Sequence, residues 1–318
     1  MRILMFLSVW VWLMLTSCNK EKDFPDFEYQ TVYFAYQSPV RTITFGEDVF
    51  NTDLDNQGKI KIFASTGGVY FAKSDVNIGI RVDNSLLGNG MTFGAGGSDI
   101  IPMPIKYFSL ASDKIVIPKG TLSGGVEVQL TNDFFSDPLA IKNTYVIPLR
   151  MTNVTNADSI LYNKDYILYA VKYVNQWHGN YLRRGKDVFT GSISQTVSRR
   201  TLYVENGEIK KLSTKSMTEI EFPVIYKDAS GANINCTLLL KFDNTGKCNI
   251  SSLTPNITAG GTGEFKKRGE KNSWGNKDRD ALYLDYQVNL PGFSVASTDT
   301  LVMRDRAVTM EVFAPVLK

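Results

Sequence analysis

Three features of the sequence predict an all-β protein, built as a β-sandwich followed by an antiparallel β-barrel. Short segments rich in β-branched and aromatic residues recur along the chain, and turn residues such as Gly67-Gly68 and Gly124-Gly125 separate them. No segment keeps a 3.6-residue apolar period for three turns. Removing a leader of residues 1–17 leaves 301 residues, which is enough for two units that each bury a core.

The leader has the pattern of a secretory signal peptide. Arg2 precedes the apolar run from Ile3 to Leu15, which is shorter than the roughly 20 residues that a membrane-spanning helix needs. The run ends in Leu15-Thr16-Ser17-Cys18, which resembles the bacterial lipobox, whose cysteine is lipidated before cleavage. We therefore expect a mature chain that begins at a lipidated Cys18; a plain exported protein is the alternative.

Residues 18–28 are predicted to be a tether. The stretch is charged, contains Pro25 and has no apolar period. Fully extended, its ten residues 19–28 span at most about 35 Å, which would hold a domain clear of lipid headgroups.

Residues 29–174 are predicted to fold as an immunoglobulin-like β-sandwich, because seven or eight short strands recur at the spacing of such folds. The longest interruption, Ser85 to Ile101, carries five glycines and is expected to be a mobile loop. The predicted strands are Tyr29–Tyr36, Val40–Phe45, Lys59–Ser65, Val76–Asp83, Lys114–Ile117, Val126–Leu130, Thr144–Thr152 and Asp165–Val174.

Residues 175–318 are predicted to form an up-and-down β-barrel of eight or nine sequential strands, the last running from Ala307 to Phe313. Several strands alternate cleanly between apolar and polar residues. One face of residues 234–242, for example, is lined by Ile234, Cys236, Leu238, Leu240 and Phe242.

Cys236 and Cys248 are predicted to be buried free thiols. They lie on either side of Asp243-Asn244-Thr245-Gly246, which has the residues of a hairpin turn. The register of such a hairpin separates the two sulfur atoms by more than about 10 Å, beyond the reach of a disulfide.

Composition and motifs argue against several functions. Residues 19–173 hold 14 basic and 17 acidic residues and residues 174–318 hold 20 and 15, which is too dilute a surplus for nucleic-acid binding. The sequence has no Gly-x-Ser-x-Gly motif to hold the serine of a Ser-His-Asp triad. The single histidine, His178, is therefore interpreted as structural. Asp53-x-Asp55-x-Gln57-Gly58 opens like a calcium loop, but Ala64 stands where a glutamate is required. We therefore expect no enzyme activity, no metal and no cofactor.

The start and end of the second unit resemble the lipocalin barrel. In lipocalins an aromatic residue after a glycine on the first strand packs beneath a late arginine. Gly179-x-Tyr181 and the segment with Arg304 and Arg306 occupy the corresponding positions, with tyrosine in place of the usual tryptophan. The resemblance implies that one of the two guanidinium groups covers the ring of Tyr181, and strand alternation is expected to place both arginines on the same face.

Nearly the whole mature chain resembles a Bacteroidetes family of two-domain surface lipoproteins. The likeness is carried by residues 115–120 (IVIPKG), 145–149 (YVIPL), 177–185 (WHGNYLRRG) and 273–280 (SWGNKDRD). Members join an immunoglobulin-like domain of uncharacterised function to a lipocalin-like domain, and some bind glycans for starch-utilisation-type uptake systems.

The resemblance implies an outer-membrane lipoprotein, anchored by its N-terminal lipid and exposed on the cell surface. It would bind carbohydrate or another nutrient for a neighbouring SusC/SusD-like uptake pair. The alternative is a structural adhesin or fimbrial-type lipoprotein. Many such subunits mature by cleavage at an arginine near the N-terminus, but the first arginine after Cys18 is Arg41, between predicted strands.

The stretch around Trp274 is the candidate ligand contact. It is a long polar connection between two strands, in which a tryptophan has no alternating apolar neighbours. An indole held there could stack on a sugar ring, while Asn276, Asp278 and Arg279 offer hydrogen bonds to hydroxyl groups. The alternative interpretation is that Trp274 folds back over the barrel mouth as a structural plug.

Overall fold

A computed structural model describes residues 29–68 and 71–318 and confirms the all-β prediction. The α-helices within these ranges are two short ones, α1 (Asp53–Asn56) and α2 (Asn132–Ser136). Four 3-10 turns lie at Asn84–Leu87, Ile105–Tyr107, Val204–Asn206 and Trp274–Asn276. The predicted signal peptide, Cys18 and the tether lie outside the described residues.

The N-terminal unit consists of two sheets. The strands are β1 (Thr31–Tyr33), β2 (Pro39–Thr44), β3 (Lys59–Gly67), β4 (Val76–Val82), β5 (Met91–Thr92), β6 (Ile101–Pro102), β7 (Phe108–Leu110), β8 (Lys114–Ile117), β9 (Ser123–Leu130), β10 (Tyr145–Thr155), β11 (Ser159–Ile160) and β12 (Tyr166–Val174). One sheet has the strand order β11-β1-β3-β9-β7; the other has the order β2-β12-β10-β4-β8, with β6 also pairing with β10.

The two sheets face each other across one apolar core. Ile62 and Val128 from the first sheet and Ile78 and Ile147 from the second are fully buried in the same cluster. Burying both inner faces in this way makes the unit a sandwich. The sandwich is not purely antiparallel, because β1–β11, β2–β12 and β6–β10 pair in parallel.

The C-terminal unit is an antiparallel barrel closed by pairing of its first strand with its last. Its alternation is as predicted: the side chains of Cys236, Leu238, Leu240 and Phe242 point into one apolar core. The strands are β13 (Gly179–Gly191), β14 (Gln195–Arg199), β15 (Glu208–Thr214), β16 (Glu219–Lys227), β17 (Asn233–Phe242), β18 (Lys247–Ser252), β19 (Thr258–Ser273), β20 (Lys277–Leu290) and β21 (Phe293–Asp305).

The hairpin between β17 and β18 confirms the prediction for the cysteines. Asp243 accepts hydrogen bonds from the main chain of Thr245 and Lys247, and Gly246 takes a positive φ of 85°. Phe242 pairs with Cys248, and both thiols are free and buried.

The last residues return to the first unit. Residues 307–310 form no strand, whereas β22 (Glu311–Val312) pairs with β2 and β23 (Val316–Leu317) pairs with β5. The prediction of a barrel strand from Ala307 to Phe313 was therefore wrong. The glycine-rich segment 85–101, expected to be a mobile loop, contains β5, which pairs with β23.

Candidate functional site

The outer face of the barrel carries a groove of about 800 Å³ that crosses five strands, from β17 to β21. Neighbouring strands lie about 4.8 Å apart, so the groove is about 19 Å long. Its lining includes consecutive residues of each strand, whose side chains point alternately toward the solvent and toward the barrel core. The inward-pointing members, such as Leu284 and Asp299, contribute their main chain to the floor.

Two rows of outward-pointing side chains form the walls of the groove. In the first row Lys241 pairs with Asn249, and the series continues through Thr262, Asp285 and Thr298. The second row consists of Lys247, Glu264, Tyr283 and Thr300. Each of these residues lies two positions from the first-row residue on the same strand. Because residues in register across a sheet are direct neighbours, each row is a continuous line of polar groups.

Several of these groups are free to bind a ligand. Within the described part of the chain, the side chains of Asn249, Thr262, Asp285, Thr298 and Thr300 have no hydrogen bond or ion pair with other protein side chains. They offer hydroxyl, amide and carboxylate groups, which include both donors and acceptors. A neutral polyhydroxylated ligand could therefore be bound along the whole length of the groove.

Other lining residues are held by neighbours. The hydroxyl of Tyr283 donates to Glu270 over 2.9 Å, and the ammonium of Lys266 lies 5.8 Å from the ring centroid. Burial and the hydrogen bond to Glu270 raise the pKa of Tyr283 to about 12, so its phenol stays protonated at neutral pH. Glu264 pairs with Lys266 at 3.1 Å. The second wall is thus more rigid than the first.

The predicted ligand residues lie on an extension of β19 and β20 that we call the arm, residues 267–280. Trp274 is partly buried, and the guanidinium of Arg279 lies 4.7 Å from its ring centroid while donating to its carbonyl oxygen. Asp278 accepts hydrogen bonds from Lys271 and from the main chain of Asn272. Asn276 is exposed, with a positive φ of 54°. One face of the indole is therefore occupied by Arg279.

The arm folds across the outside of the barrel. Glu270 on β19 forms an ion pair at 2.5 Å with Arg184 on β13, three strand positions away and thus about 14 Å along a flat sheet. Beneath this crossing, the outward-pointing Leu182, Ala281 and Val302 are fully buried. Since Glu270 also holds Tyr283, the arm borders the groove.

The residues predicted to close the barrel meet, but not by stacking. Gly179 and Tyr181 lie on β13, the ring of Tyr181 is fully buried, and its hydroxyl donates to the carbonyl of Trp177. In the described part of the chain, neither Arg304 nor Arg306 stacks on the ring of Tyr181. The two arginines also differ in exposure. Asn180 pairs with Asp305 and Tyr181 with Met303, so a bulge at Arg304 breaks the alternation that would place them on one face.

Arg306 instead joins the two units. Its guanidinium donates to the carbonyls of Asn175 and His178 and to those of Phe45 and Glu47 in the sandwich, over 2.6 to 2.9 Å. The side chain is buried, and burial lowers its pKa. Arg304 is partly exposed and pairs with Asp305 at 3.4 Å.

A buried ionic cluster inside the barrel was not predicted. Arg183 and Asp299 pair at 3.0 Å, and Arg199 bonds both Asp299 and Asp187. Burial opposes the charged form of Arg183, but Tyr286 and Asp299 outweigh it and raise the pKa of the guanidinium. The signal was present in the sequence, because charges at positions 183 and 187 interrupt the inward series on β13.

Two further observations concern metals and membranes. In the described ranges no three His, Cys, Asp or Glu side chains are grouped to hold a metal ion. Asp55 of the incomplete calcium loop is buried and accepts hydrogen bonds from Arg41 and the main chain of Thr44. Among residues 29–68 and 71–318, no helix is long and apolar enough to cross a bilayer.

The fold and the groove define a two-unit protein, a β-sandwich joined to a β-barrel with an open polar binding surface. A solved structure of a Bacteroides ovatus protein of unknown function is 45% identical, with a TM-score of 0.85, over 91% of this chain and 99% of that one. The present chain and the Bacteroides ovatus protein belong to the same family. A domain of unknown function, DUF5627, matches residues 176–307, and an N-terminal domain profile matches residues 27–158.

More distant structures cover most of the chain at low similarity. A multidomain Bacteroides ovatus protein that includes DUF1735 is 12% identical with a TM-score of 0.44, covering 88% of this chain and 97% of its own. An auxiliary nutrient binding protein from Bacteroides thetaiotaomicron is 14% identical with a TM-score of 0.41, covering 83% and 90%. No curated protein matches the chain.

Proposed function

We propose that this protein is a non-enzymatic, cell-surface lipoprotein that binds an extended carbohydrate chain along the outer groove of its barrel. The observation that carries the proposal is the row of unpaired polar side chains from Asn249 through Thr262 and Asp285 to Thr298. A linear oligosaccharide presents hydroxyl groups at regular intervals, and this row presents hydrogen-bonding groups at the spacing of the strands.

The shape of the groove favours a chain over a compact ligand. Its walls run perpendicular to the strands and its length is about four strand spacings, or about 19 Å. Lining charges of both signs, including Lys247 and Asp285, leave no strong preference for a charged ligand. The groove is open rather than enclosed, which suits binding in the middle of a long polymer.

The double substitution Asn249→Ala/Asp285→Ala is expected to weaken glycan binding about tenfold or more, equivalent to ~1.4 kcal/mol or more. Both side chains are exposed and unpaired, so stability should change by less than about 0.5 kcal/mol. A glycan array identifies the ligand, and affinity electrophoresis or calorimetry with that glycan measures the change.

Ser251→Ala and Gln287→Ala are the matched controls. Each lies on the same strand and the same face as one of the two groove residues, two positions along and outside the groove. Both should bind like the wild type. Equal loss of binding in the controls, or unchanged binding in the double variant, would contradict placement of the site in the groove.

Trp274 lies on the arm, outside the lining of the groove, and remains a predicted ligand contact. Its exposed part offers an apolar edge, and Asn276 beside it is accessible. Trp274→Ala should abolish glycan retention on gels while leaving the thermal midpoint nearly unchanged. If the substitution instead lowered the free energy of unfolding by ~3 to 5 kcal/mol and left glycan retention intact, the indole would be a structural plug.

Anchoring through Cys18 is the second part of the proposal, and it is independent of the groove. Lipid chains contribute about 0.8 kcal/mol per buried methylene group, so a triacylated cysteine holds the protein firmly. Cys18→Ala should release the protein from the membrane fraction or leave it unprocessed, as judged by detergent partitioning. Wild-type protein found wholly in the soluble periplasm would contradict the anchor.

We further propose that the anchored protein is exposed on the outer membrane and delivers glycan to a SusC/SusD-like pair. The first arginine after Cys18 lies within β2, where Arg41 pairs with the buried Asp55. Cleavage there would remove β1 from the sandwich, which favours uptake over a fimbrial subunit matured at an arginine. Co-purification with a neighbouring uptake pair tests this assignment.

A further inference from the structure

The two units enclose a second cleft, of about 680 Å³, near the end of the groove at Lys241, which pairs with the cleft residue Glu219 at 3.5 Å. Pro138, Ile141 and Lys142 line it from the sandwich, and His178, Ser216 and Glu221 line it from the barrel. Its lining shares no residue with the groove on β17 to β21. Binding in the cleft can therefore be separated experimentally from glycan binding.

His178 places a fixed hydrogen-bond donor at this cleft. The side chain is 8% exposed, and its Nδ1 accepts a hydrogen bond from the main-chain N–H of Thr214 over 3.1 Å. The ring proton must then reside on Nε2. In the described part of the chain Nε2 has no acceptor, and it is not among the fully enclosed polar atoms. The Nε2–H therefore faces the space of the cleft.

The surroundings of His178 are positive. Burial and the nearby charges of Lys211, Arg306 and Lys172 lower the pKa of the imidazole to about 4, so it is neutral at physiological pH. Arg306 donates only to carbonyl oxygens and has no carboxylate partner among the described residues.

The remaining charges near the cleft do not cancel this excess. Lys172 pairs with Glu311, Lys215 with Glu221, and Glu219 with Lys241. Within the described residues Lys142 and Lys211 form no ion pair. The potential in the cleft thus favours an anion, while the nearby serine and threonine hydroxyls suit a hydroxylated one.

We propose that the cleft between the two units binds a small hydroxylated carboxylate of the sugar-acid class, whose carboxylate accepts a hydrogen bond from His178 Nε2–H. The donor is already buried and oriented by Thr214, so binding requires little reordering of the site. Lys142, at the rim, attracts the negative charge. The ligand and the lining residues both differ from those of the proposed glycan groove.

Because the chain contains one histidine, the imidazole reports on the cleft directly in untagged protein. Titration of imidazole-labelled full-length protein with D-glucuronate should shift the His178 ring signals saturably in NMR spectra. D-Glucose, which has the same ring but a neutral CH₂OH in place of the carboxylate, should leave them unchanged. Absence of a shift with glucuronate, or an equal shift with glucose, overturns the proposal.

Two substitutions sharpen the test without disturbing the fold. Lys142→Ala should weaken glucuronate binding about two- to fivefold, the effect of one exposed charge. Lys227→Ala, at the exposed end of β16, should leave it unchanged. Asp285→Ala in the groove should not alter the His178 shift, so failure of the groove and failure of the cleft are distinguishable. An unchanged affinity in Lys142→Ala would overturn the electrostatic part of the proposal.

Discussion

Replacing Arg306 by methionine is expected to lower the free energy of unfolding by about 3 to 5 kcal/mol, because up to four carbonyl oxygens lose a charged donor together. Methionine retains much of the buried apolar stem and so isolates the loss of the guanidinium. The carbonyls belong to both units, so their junction should loosen. Chemical denaturation measures the change in stability, and hydrogen exchange at residues 45–47 and 175–178 measures the loosening.

Arg304 provides the matched control. It lies two residues before Arg306, near the end of β21, is partly exposed, and among the described residues pairs only with its neighbour Asp305. Arg304→Met should change stability by less than about 1 kcal/mol, as is usual for exposed ion pairs. If Arg306→Met were no more destabilising than Arg304→Met, the two units would not depend on the guanidinium for their attachment.

Asp299→Leu is expected to destabilise the barrel by about 3 to 5 kcal/mol, since the buried Arg183 and the partly buried Arg199 both lose the carboxylate that they share. Asp299 is 1% exposed and also accepts a hydrogen bond from the hydroxyl of Tyr286 over 2.7 Å. Leucine has the same branched shape and the same four side-chain heavy atoms, so the loss reflects the missing carboxylate rather than a cavity. Urea denaturation with an unchanged m-value measures it.

The control is Asp285→Leu, on the neighbouring strand but on the outward face. Asp285 is exposed and has no partner, so its replacement should leave unfolding nearly unchanged while weakening glycan binding. Replacing Arg183 together with Asp299 by apolar residues should recover part of the stability lost in the single variant. A double variant destabilised by the full sum of the two single effects, or by more, would mean that the two residues do not act as a pair.

The inward and outward positions of the barrel strands could be predicted from the sequence, because side-chain alternation is a local property with a period of two. Residues 234–242 show this, with Cys236, Leu238 and Leu240 all buried as predicted. The same reasoning failed at Arg304 and Arg306, since a single bulge there shifts the alternation by one residue. A bulge depends on the facing strand, which the local sequence does not reveal.

The groove shows the same division. Asn249, Thr262, Asp285 and Thr298 are each recognisable in the sequence as polar residues on the outward face of a strand. They lie on four different strands, and only the register of those strands brings them into one row. The return of residues 311–317 to the sandwich was likewise not predictable, because it depends on the free edges of β2 and β5.

The sequence by itself determined the all-β class, the faces of the regular strands and the free state of the two buried thiols. Each of these follows from residue type and spacing within one strand or one hairpin. The tertiary structure decided where Arg306 binds, how Arg183 and Asp299 meet inside the barrel, and which polar side chains share a groove. These contacts join residues as many as 261 positions apart, and the free energy that selects them arises only when whole sheets pack and exclude water.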